Sequence, residues 1–280
     1  MSTKERHRAA IAHEIARELV VRVSHALAPA YVMPVKGTLL ARTYYNDVTE
    51  RPMSDVDIVL TKGILFDALK QLSAAGFRRT GWSSDLGVVT LVHPDAPGLE
   101  LDLHRFPLPL GFGRVTSAWL AEEASVNEEL FGAPVLVPER SRLLAHMIGV
   151  VANDDVYRAP PRSLEDIHRL AEHGDARRDA ERIRQAGLSI AAHLVLDRIA
   201  RERPSEPLAE LKRALQLSAY EARTAAALGR TLMASASSPS RPLYAKVLSR
   251  LLPDTVPLRA ISAVAAGVGR MQGRLLTKRR

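Results

Sequence analysis

The spacing of apolar residues divides the chain into two parts, one in which strand and helix patterns alternate and one in which only helix patterns occur. A helix is predicted over residues 3–28, because apolar side chains recur there every three or four positions. These positions are Ile11, Ile15, Leu19, Val23 and Leu27, and Pro29 closes the pattern. A short run of β-forming residues at 31–37 and a helical run at 38–47 follow.

The alternation of strand and helix patterns continues to about residue 138. An apolar run at 55–63, bounded by Pro52 and Gly63, is typical of a strand. The next helix is predicted over 64–76, where Gly76 is placed to end it. Turn sequences then separate three further predicted strands, and a last segment has the pattern of a hairpin. The strands are predicted over 77–81, 87–93 and 99–105, and the hairpin over 126–137.

Beyond residue 139 the strand patterns fade, and prolines and glycines divide an Ala-, Leu- and Arg-rich sequence into segments of helix length. We therefore expect an α+β protein. A mixed β-sheet flanked by helices is predicted over residues 1–138, followed by an all-α domain of about five to seven helices over 139–280. The Ser- and Pro-rich sequence at 235–242 is a candidate hinge.

Composition excludes several classes of protein. With 280 residues, 46% of them hydrophobic, the chain can build one large domain or two ordinary ones and is not disordered. No apolar run approaches the roughly 18 residues of a membrane-spanning helix, and the N-terminus lacks a secretory signal, so we expect a cytoplasmic protein. Without cysteines, any metal must be bound by carboxylates, imidazoles or backbone oxygens.

The net charge of +8 is unevenly distributed. Residues 1–138 contain 14 Lys/Arg and 16 Asp/Glu, whereas residues 139–280 contain 25 and 15. Residues 241–280 alone contain nine basic side chains and one acidic side chain. This asymmetry favours a polyanionic partner such as nucleic acid, nucleotide or acidic lipid, and the alternative is a solvated Arg-rich surface.

The first motif with chemical meaning is Asp55-Val56-Asp57 at the start of a predicted strand. Side chains at i and i+2 of a strand lie on the same face, so the two carboxylates project together while Val56 enters the core. Two neighbouring carboxylates repel each other unless a cation lies between them, which makes a divalent metal site one interpretation. The alternative is an exposed strand end with two solvated acids.

Two further segments favour the metal site. In LELDLHRF, Glu100, Asp102 and His104 share the polar face of a second alternating strand, so a third carboxylate joins the pair if the two strands are neighbours. Upstream, Lys36-Gly37-Thr38 lies between an apolar strand and a helix. There a glycine permits close backbone approach, and the helix N-terminus offers free N–H groups to phosphate oxygens.

These residues carry a resemblance to a known superfamily. The segment PVKGTLLARTYYNDVTERPMSDVDIVL, followed by Asp102-Leu103-His104, resembles the nucleotidyltransferase-like superfamily of DNA polymerase beta and, more closely, its uncharacterised bacterial branch. The resemblance covers roughly residues 30–106. It implies a nucleotidyltransferase-type sheet and the transfer of a nucleoside monophosphate from an NTP to an acceptor.

The resemblance also implies roles for individual residues. Asp55, Asp57 and Asp102 would bind two Mg²⁺ ions, with Mn²⁺ as the alternative, and Asp102 would orient or deprotonate the acceptor. The remaining residues are assigned to the nucleotide or to the acceptor side. Lys36, Gly37, Thr38, Arg51 and Ser54 would lie at the nucleotide, Lys36 as a phosphate or carboxylate contact and Ser54 as a group that positions Asp55. The alternative for Arg51 is a surface arginine paired with Glu50 or Asp47. His104 would touch the acceptor or a phosphate, or support Asp102.

The acceptor stays open between RNA, such as a tRNA 3′ end, and a small molecule or peptide. The basic C-terminal half favours RNA, which is compatible with a toxin whose partner would be an antitoxin. Two other functions are considered: an inactive binding or regulatory module of the same fold, and a metal-dependent nuclease. In the helical half, His146, Asp166 and His168 are interpreted mainly as ordinary helix surface.

Overall fold

Seven strands form one mixed sheet in the N-terminal half of the protein. The computed structural model describes residues 2–61, 65–83, 87–236, 248 and 251–254. Along the sheet the strands follow the order β3-β4-β5-β2-β1-β7-β6. Their bounds are β1 Val32–Pro34, β2 Asp55–Leu60, β3 Arg78–Ser83, β4 Val88–Val92, β5 Glu100–His104, β6 Ser125–Asn127 and β7 Val135–Val137.

Four helices belong to the same half as the sheet, and six follow it within the described part of the chain. The first group is α1 Thr3–Leu27, α2 Lys36–Thr43, α3 Leu65–Ala74 and α4 Ser117–Ala121, with a short 3₁₀ helix at Val48–Glu50. The second group is α5 Arg140–Asp155, α6 Pro161–Glu172, α7 Ala176–Gln185, α8 Ser189–Glu202, α9 Glu206–Leu215 and α10 Ala219–Ala236.

Local sequence signals explain several of these element ends. At the start of α1, the backbone of Glu5 donates to Ser2 Oγ and the backbone of Ser2 donates to the Glu5 carboxylate, which is a complete capping box. Gly76 follows α3 with φ +94, and the next N–H bonds back to Leu72. Only glycine adopts this left-handed conformation readily, so the predicted helix end at Gly76 is confirmed.

The centre of the sheet is the parallel pair of β2 and β5. β4 continues the sheet antiparallel to β5, while β1 lies antiparallel to β2 and parallel to β7. β6 and β7 form the predicted antiparallel hairpin. The strand after β2 in the chain is β3, yet β3 lies three positions away at the sheet edge. The neighbour of β2 on that side is β5, which comes third after it in the chain.

Burial follows the apolar pattern that predicts the elements. The inner face of α1 packs on β1 and β2 through fully buried side chains, and α2 also packs on β2. The central strands are apolar wherever they enter the core, with Val56 and Ile58 on β2 and Leu101 and Leu103 on β5 all at 0% exposure. This core fixes the start of β2, where the acidic residues lie.

The chain divides into two compact units. One comprises Met1–Pro107 and Thr116–Glu139, and the other Leu108–Val115 and the described residues from Arg140 onward. The short segment 108–115 therefore belongs to the unit that contains the helices from Arg140 onward, although it lies before residue 139 in the chain. The predicted α+β class, with a mixed sheet followed by a helical region, is confirmed.

Most of the basic C-terminal segment, 241–280, lies outside the described residues, as does most of the candidate hinge at 235–242. Within 241–280 the structure describes residues 248 and 251–254, which belong to the helical unit. Leu252 is fully buried, and the Asp254 carboxylate accepts hydrogen bonds from the first two N–H groups of α8. Among the described residues, no helix is long and apolar enough to cross a membrane.

Candidate active site

Two neighbouring parallel strands carry a row of carboxylates. Asp57 on β2 lies directly opposite Asp102 on β5, and Asp55 lies opposite Glu100. Since side chains at i and i+2 of a strand share a face, all four acids belong to one face of the sheet. Asp57 is buried at 3% exposure, whereas Asp55 and Asp102 are half-buried.

Lys36 and His104 meet at a single oxygen of Asp57. The distance from Asp57 Oδ1 is 2.7 Å to Lys36 Nζ and 2.8 Å to His104 Nε2. An ionised carboxylate only accepts hydrogen bonds, so the imidazole donates from Nε2–H. The buried acid is thus held by the ammonium of Lys36, the first residue of α2, and by the His104 ring on β5.

The turn that begins α2 is bound to β2 through the backbone of Asp57. The N–H of Asp57 donates to Thr38 Oγ1 at 3.2 Å, and the N–H of Val35 donates to the carbonyl of Asp57 at 3.1 Å. Thr38 is buried at 2% exposure. The Lys36-Gly37-Thr38 turn and the Asp-x-Asp strand therefore form one hydrogen-bonded unit.

Gly37 makes room for Arg51. A Cβ placed on Gly37 would lie 3.2 Å from the guanidinium carbon and both terminal nitrogens of Arg51, so the guanidinium lies against the glycine backbone. Arg51 is 6% exposed, and its Nη1 donates to the carbonyl of Pro52 at 2.8 Å. Its own carbonyl accepts a hydrogen bond at 3.0 Å from Nε2 of buried His13 on α1.

The two acids of β2 differ in how strongly their negative charge is stabilised. Burial would by itself raise the pKa of Asp57, but the Lys36 ammonium and the hydrogen bond from His104 outweigh it and hold that pKa below its ordinary range. Burial raises the pKa of Asp55, and the negative charges of Asp57 and Asp102 raise it further. The hydrogen bond from Ser54 Oγ, 3.0 Å from Asp55 Oδ1, opposes this rise without cancelling it.

Thr90 on β4 contacts the acidic face, although no sequence motif contains it. It lies opposite Asp102 in the β4–β5 pair, and its Oγ1 donates to Asp102 Oδ1 at 2.7 Å. On its other side, β3 has an irregular register that places Gly81 opposite Thr90, where a Cβ would approach the hydroxyl to 3.2 Å. The alternating pattern of VVTLV puts one hydroxyl on the polar face, which is the signal that could have identified Thr90.

The residues fit a divalent cation. One ligand atom from each of Asp57, Asp102 and His104 lies within 4.8 Å of the others, and no other group of three such residues occurs in the described ranges. Carboxylate oxygens are the ligands that Mg²⁺ prefers, and the pKa of Asp55 is raised first by burial and then by the neighbouring charges of Asp57 and Asp102. These three residues include His104, whereas the sequence predicts Asp55 as the third ligand. Asp55 lies on the same face of the sheet, two residues before Asp57 on β2.

A comparison with protein families identifies the chain. A family model described as "Uncharacterised nucleotidyltransferase" matches residues 3–201, which include the whole sheet and most of the first four helices of the second unit. The chain belongs to this nucleotidyltransferase family. No curated protein matches it. The suspected resemblance is confirmed, and the protein is a transferase of the nucleotidyltransferase type.

In the helical unit of this nucleotidyltransferase, the interpretation of three polar residues as helix surface is wrong. His146, Asp166 and His168 are at most 2% exposed. His146 lies on α5, which is buried on most of its sides, and Asp166 and His168 lie on the buried face of α6 beside Ile167 and Leu170. Sequence patterning alone had assigned these positions to the outside.

Proposed function

We propose that this nucleotidyltransferase transfers a nucleoside monophosphate from an NTP to an acceptor hydroxyl at the Asp55, Asp57 and Asp102 face. The observation that carries the proposal is the register of β2 and β5, which sets Asp57 against Asp102 beside the Lys36-Gly37-Thr38 turn. Carboxylates for metal and a helix-opening turn for phosphate are the two parts that nucleotidyl transfer requires.

The phosphates would bind on the side of the turn. Lys36 and Arg51 bring positive charge to this side, and the absence of a side chain at Gly37 lets the Arg51 guanidinium lie against the turn. Arginine suits a phosphate because its planar fork donates two parallel hydrogen bonds. Thr38 and Ser54 would act mainly by position, since one hydroxyl is bound to Asp57 and the other to Asp55.

Mg²⁺, with Mn²⁺ as the alternative, would be held by Asp57, Asp102 and Asp55, with His104 beside them. When bound, such an ion neutralises charge on the phosphates and activates the attacking oxygen. Asp102, oriented through Oδ1 by Thr90, would take the proton of the acceptor hydroxyl. The acceptor oxygen forms a bond to the α-phosphorus, the α–β phosphoanhydride bond breaks, and pyrophosphate leaves.

For the acceptor we propose RNA, on the strength of the nine basic side chains within residues 241–280. If these residues hold RNA, affinity for total small RNA falls steeply with salt, and it falls less steeply when Arg274, Lys278, Arg279 and Arg280 are changed to Gln. Equal salt slopes for the two proteins would remove RNA contact from this segment. The roles as a toxin and in the cytoplasm stay predictions.

Label transfer tests the proposal directly. The full-length protein is incubated with Mg²⁺, total small RNA or cell extract, and each α-labelled NTP in turn. We expect label on an acceptor with the wild type and its loss in Asp57→Asn and Asp102→Asn. The matched control is Asp67→Asn, because Asp67 is an exposed acid on α3, away from the carboxylate row.

The same experiment separates the alternatives. Degradation of RNA without any NTP would indicate a metal-dependent nuclease. If the wild type neither transfers label nor binds any NTP with Mg²⁺, the protein is a binding module that kept the fold. Equal labelling by wild type and Asp57→Asn would contradict the proposed site even if the protein is a transferase.

A further inference from the structure

Lys36 is placed between the two halves of the proposed site, and its geometry is unusual for a lysine. Its ammonium lies 2.7 Å from Asp57, a residue expected to hold metal, while its backbone begins the turn expected to hold phosphate. We propose that Lys36 is an exchangeable counter-ion. It neutralises Asp57 before substrate arrives and moves to the nucleotide phosphates on binding, which couples metal binding to NTP binding. This inference rests on the proposed function.

The first argument is that Lys36 and the metal need the same carboxylate. Asp57 Oδ1 already accepts hydrogen bonds from Lys36 and from His104, which fills the ordinary capacity of one oxygen. A divalent cation at Asp57 and Asp102 would lie next to the positive Lys36 ammonium, and like charges at such separations repel strongly inside a protein. With Lys36 in place, metal binding without nucleotide is therefore weak.

The second argument is that Lys36 is held on the open side of Asp57. About 25% of the Lys36 side chain is exposed, against 5% for Asp57. The ammonium can thus leave towards solvent without unpacking the core, whereas His104, with 8% of its side chain exposed, stays on Asp57.

The third argument is the backbone of Lys36. Its φ is +53, in the left-handed region that favours glycine, and it stands directly before Gly37. A lysine in this conformation costs stability that a glycine would not, and such positions occur where function requires a particular side chain. The sequence keeps the charged residue at the strained position.

The NTP provides the second anionic partner that the Lys36 ammonium needs in order to leave Asp57. Its triphosphate is polyanionic and would enter at the start of α2, so Lys36 gains a new anionic partner within reach of its own backbone position. Departure of the ammonium leaves Asp57, Asp55 and Asp102 together without their nearest cation. The metal that accompanies the nucleotide then takes the place of the lysine charge.

Mn²⁺ titration followed by electron paramagnetic resonance tests this on the full-length protein, with and without the α,β-methylene analogues of ATP, CTP, GTP and UTP in turn. We expect weak Mn²⁺ binding by the wild type alone and at least tenfold tighter binding with the preferred analogue. Lys36→Met should bind Mn²⁺ at least tenfold more tightly than wild type without nucleotide. Lys70→Met, at an exposed lysine of α3, is the matched control and should behave as wild type.

A second variant guards against misfolding. Lys36→Gly removes the ammonium and also relieves the left-handed strain, so it should fold even if Lys36→Met does not. It should show the same gain in nucleotide-free Mn²⁺ affinity and a smaller effect of the analogue. Lys36→Arg keeps the positive charge and should keep nucleotide-free binding weak.

The outcomes separate this inference from the proposed function. If both uncharged variants bind nucleotide-free Mn²⁺ no more tightly than wild type, while wild type binds Mn²⁺ with an analogue, the exchange is refuted and the metal site stands. If wild type binds no Mn²⁺ under any condition, both proposals fall. If the analogue tightens Mn²⁺ binding equally in wild type and Lys36→Gly, the coupling does not pass through Lys36.

Discussion

Each unit of the molecule contains a buried acid paired with a basic side chain, and the two pairs are built differently. In the helical unit Asp179, 1% exposed, is paired with Arg140. In the sheet unit Asp57, 3% exposed, is paired with Lys36. Both satisfy the requirement that a buried charge has a partner, yet their surroundings differ.

The Arg140 pair is saturated by its neighbours. Arg140 reaches both oxygens of Asp179, and its Nη1 and Nη2 also donate to the carbonyl of Leu170 and to Ser141 Oγ, each at 2.8 Å. A Cβ on Gly174 would overlap the guanidinium, so the packing leaves no room for another group. This pair joins α5, α6 and α7.

The Lys36 pair, in contrast, lies among an excess of acids. Asp55 and Asp102 share the face of Asp57, and Asp55 keeps a raised pKa because of burial and their charges. The lysine is in a strained conformation and partly exposed. The two pairs thus differ in their surroundings: additional hydrogen-bond acceptors surround Arg140, whereas further acids lie beside the Lys36 pair.

Breaking the saturated pair should have the largest effect. Arg140→Met leaves Asp179 charged and buried, and we expect a loss of about 3–5 kcal/mol in the free energy of unfolding, measured with urea. The double variant Arg140→Met/Asp179→Leu should recover most of this loss. Glu206→Gln, which breaks an exposed pair with Arg213, should cost less than about 1 kcal/mol.

The same measurement with Mn²⁺ sharpens the contrast. The loss in Arg140→Met should not depend on Mn²⁺, while any loss in Lys36→Met should shrink as Mn²⁺ binds to the folded state. If Mn²⁺ changed the unfolding free energy of both variants equally, the two ion pairs would not differ in their relation to metal binding.

Thr90→Val should have the next largest effect. It keeps the shape of the side chain but removes the hydroxyl that orients Asp102, and we expect metal affinity to fall about 10- to 100-fold. Mn²⁺ titration measures this change, and Thr90→Ser should restore binding. Thr80→Val is the control, since the Thr80 hydroxyl only contacts the Thr90 carbonyl at 3.4 Å. Wild-type metal affinity in Thr90→Val would show that Asp102 needs no such support.

Gly37→Ala should have a smaller effect, confined to nucleotide. The added methyl group would meet the Arg51 guanidinium at 3.2 Å and push it aside by a few tenths of an ångström. We expect the KM for the NTP to rise several-fold, about 1 kcal/mol in binding, with little change in metal affinity. A rise in KM together with an equal loss of metal affinity would instead indicate that the whole turn has moved.

The smallest effect concerns pH and His13, which holds the Arg51 carbonyl. Burial lowers the pKa of His13 below the ordinary value of 6.5, so below that pH the unfolded chain takes up the proton more readily than the folded protein. The free energy of unfolding should therefore fall as the pH drops below about 6.5. Urea unfolding between pH 7.5 and 5.5 should show a shallower fall for His13→Gln, and no change of slope for His25→Gln at an exposed site.

The positive charge also separates two regions. Residues 140–236 contain 16 Lys/Arg and 13 Asp/Glu, and several of their arginines pair with acids of the same unit, such as Arg169 with Glu165 and Arg198 with Glu202. The larger excess of Lys and Arg over Asp and Glu lies in residues 241–280, which follow the part of the chain that matches the family. The helical half as a whole is therefore not the basic surface that composition indicates.

Several features followed from local patterns. Apolar periodicity predicted most strands and helices to within a few residues, because each element must bury one face. The i and i+2 spacing of Asp55 and Asp57 put both on one face, since strand geometry has a period of two. The order of the motifs also sufficed to suspect the family.

The composition of the site depended on contacts between residues distant in the chain. Nothing local states that β5, rather than β3, lies beside β2, or that the register sets Asp57 against Asp102. Sheet order and register follow from the burial of all strands and helices together. For the same reason the convergence of Lys36 and His104 on one oxygen, and the hydroxyl of Thr90 behind Asp102, had no sequence signature of their own.

The sequence by itself thus determined which kinds of groups are present, namely acids on a strand and a Lys-Gly-Thr turn before a helix, and it indicated the family. The tertiary structure decided which groups touch, and with that their charge states. A pKa depends on burial and on charges a few ångströms away, and both are properties of the packed molecule. Asp55 and Asp57 are separated by one residue in the chain, yet the fold moves their pKa values in opposite directions.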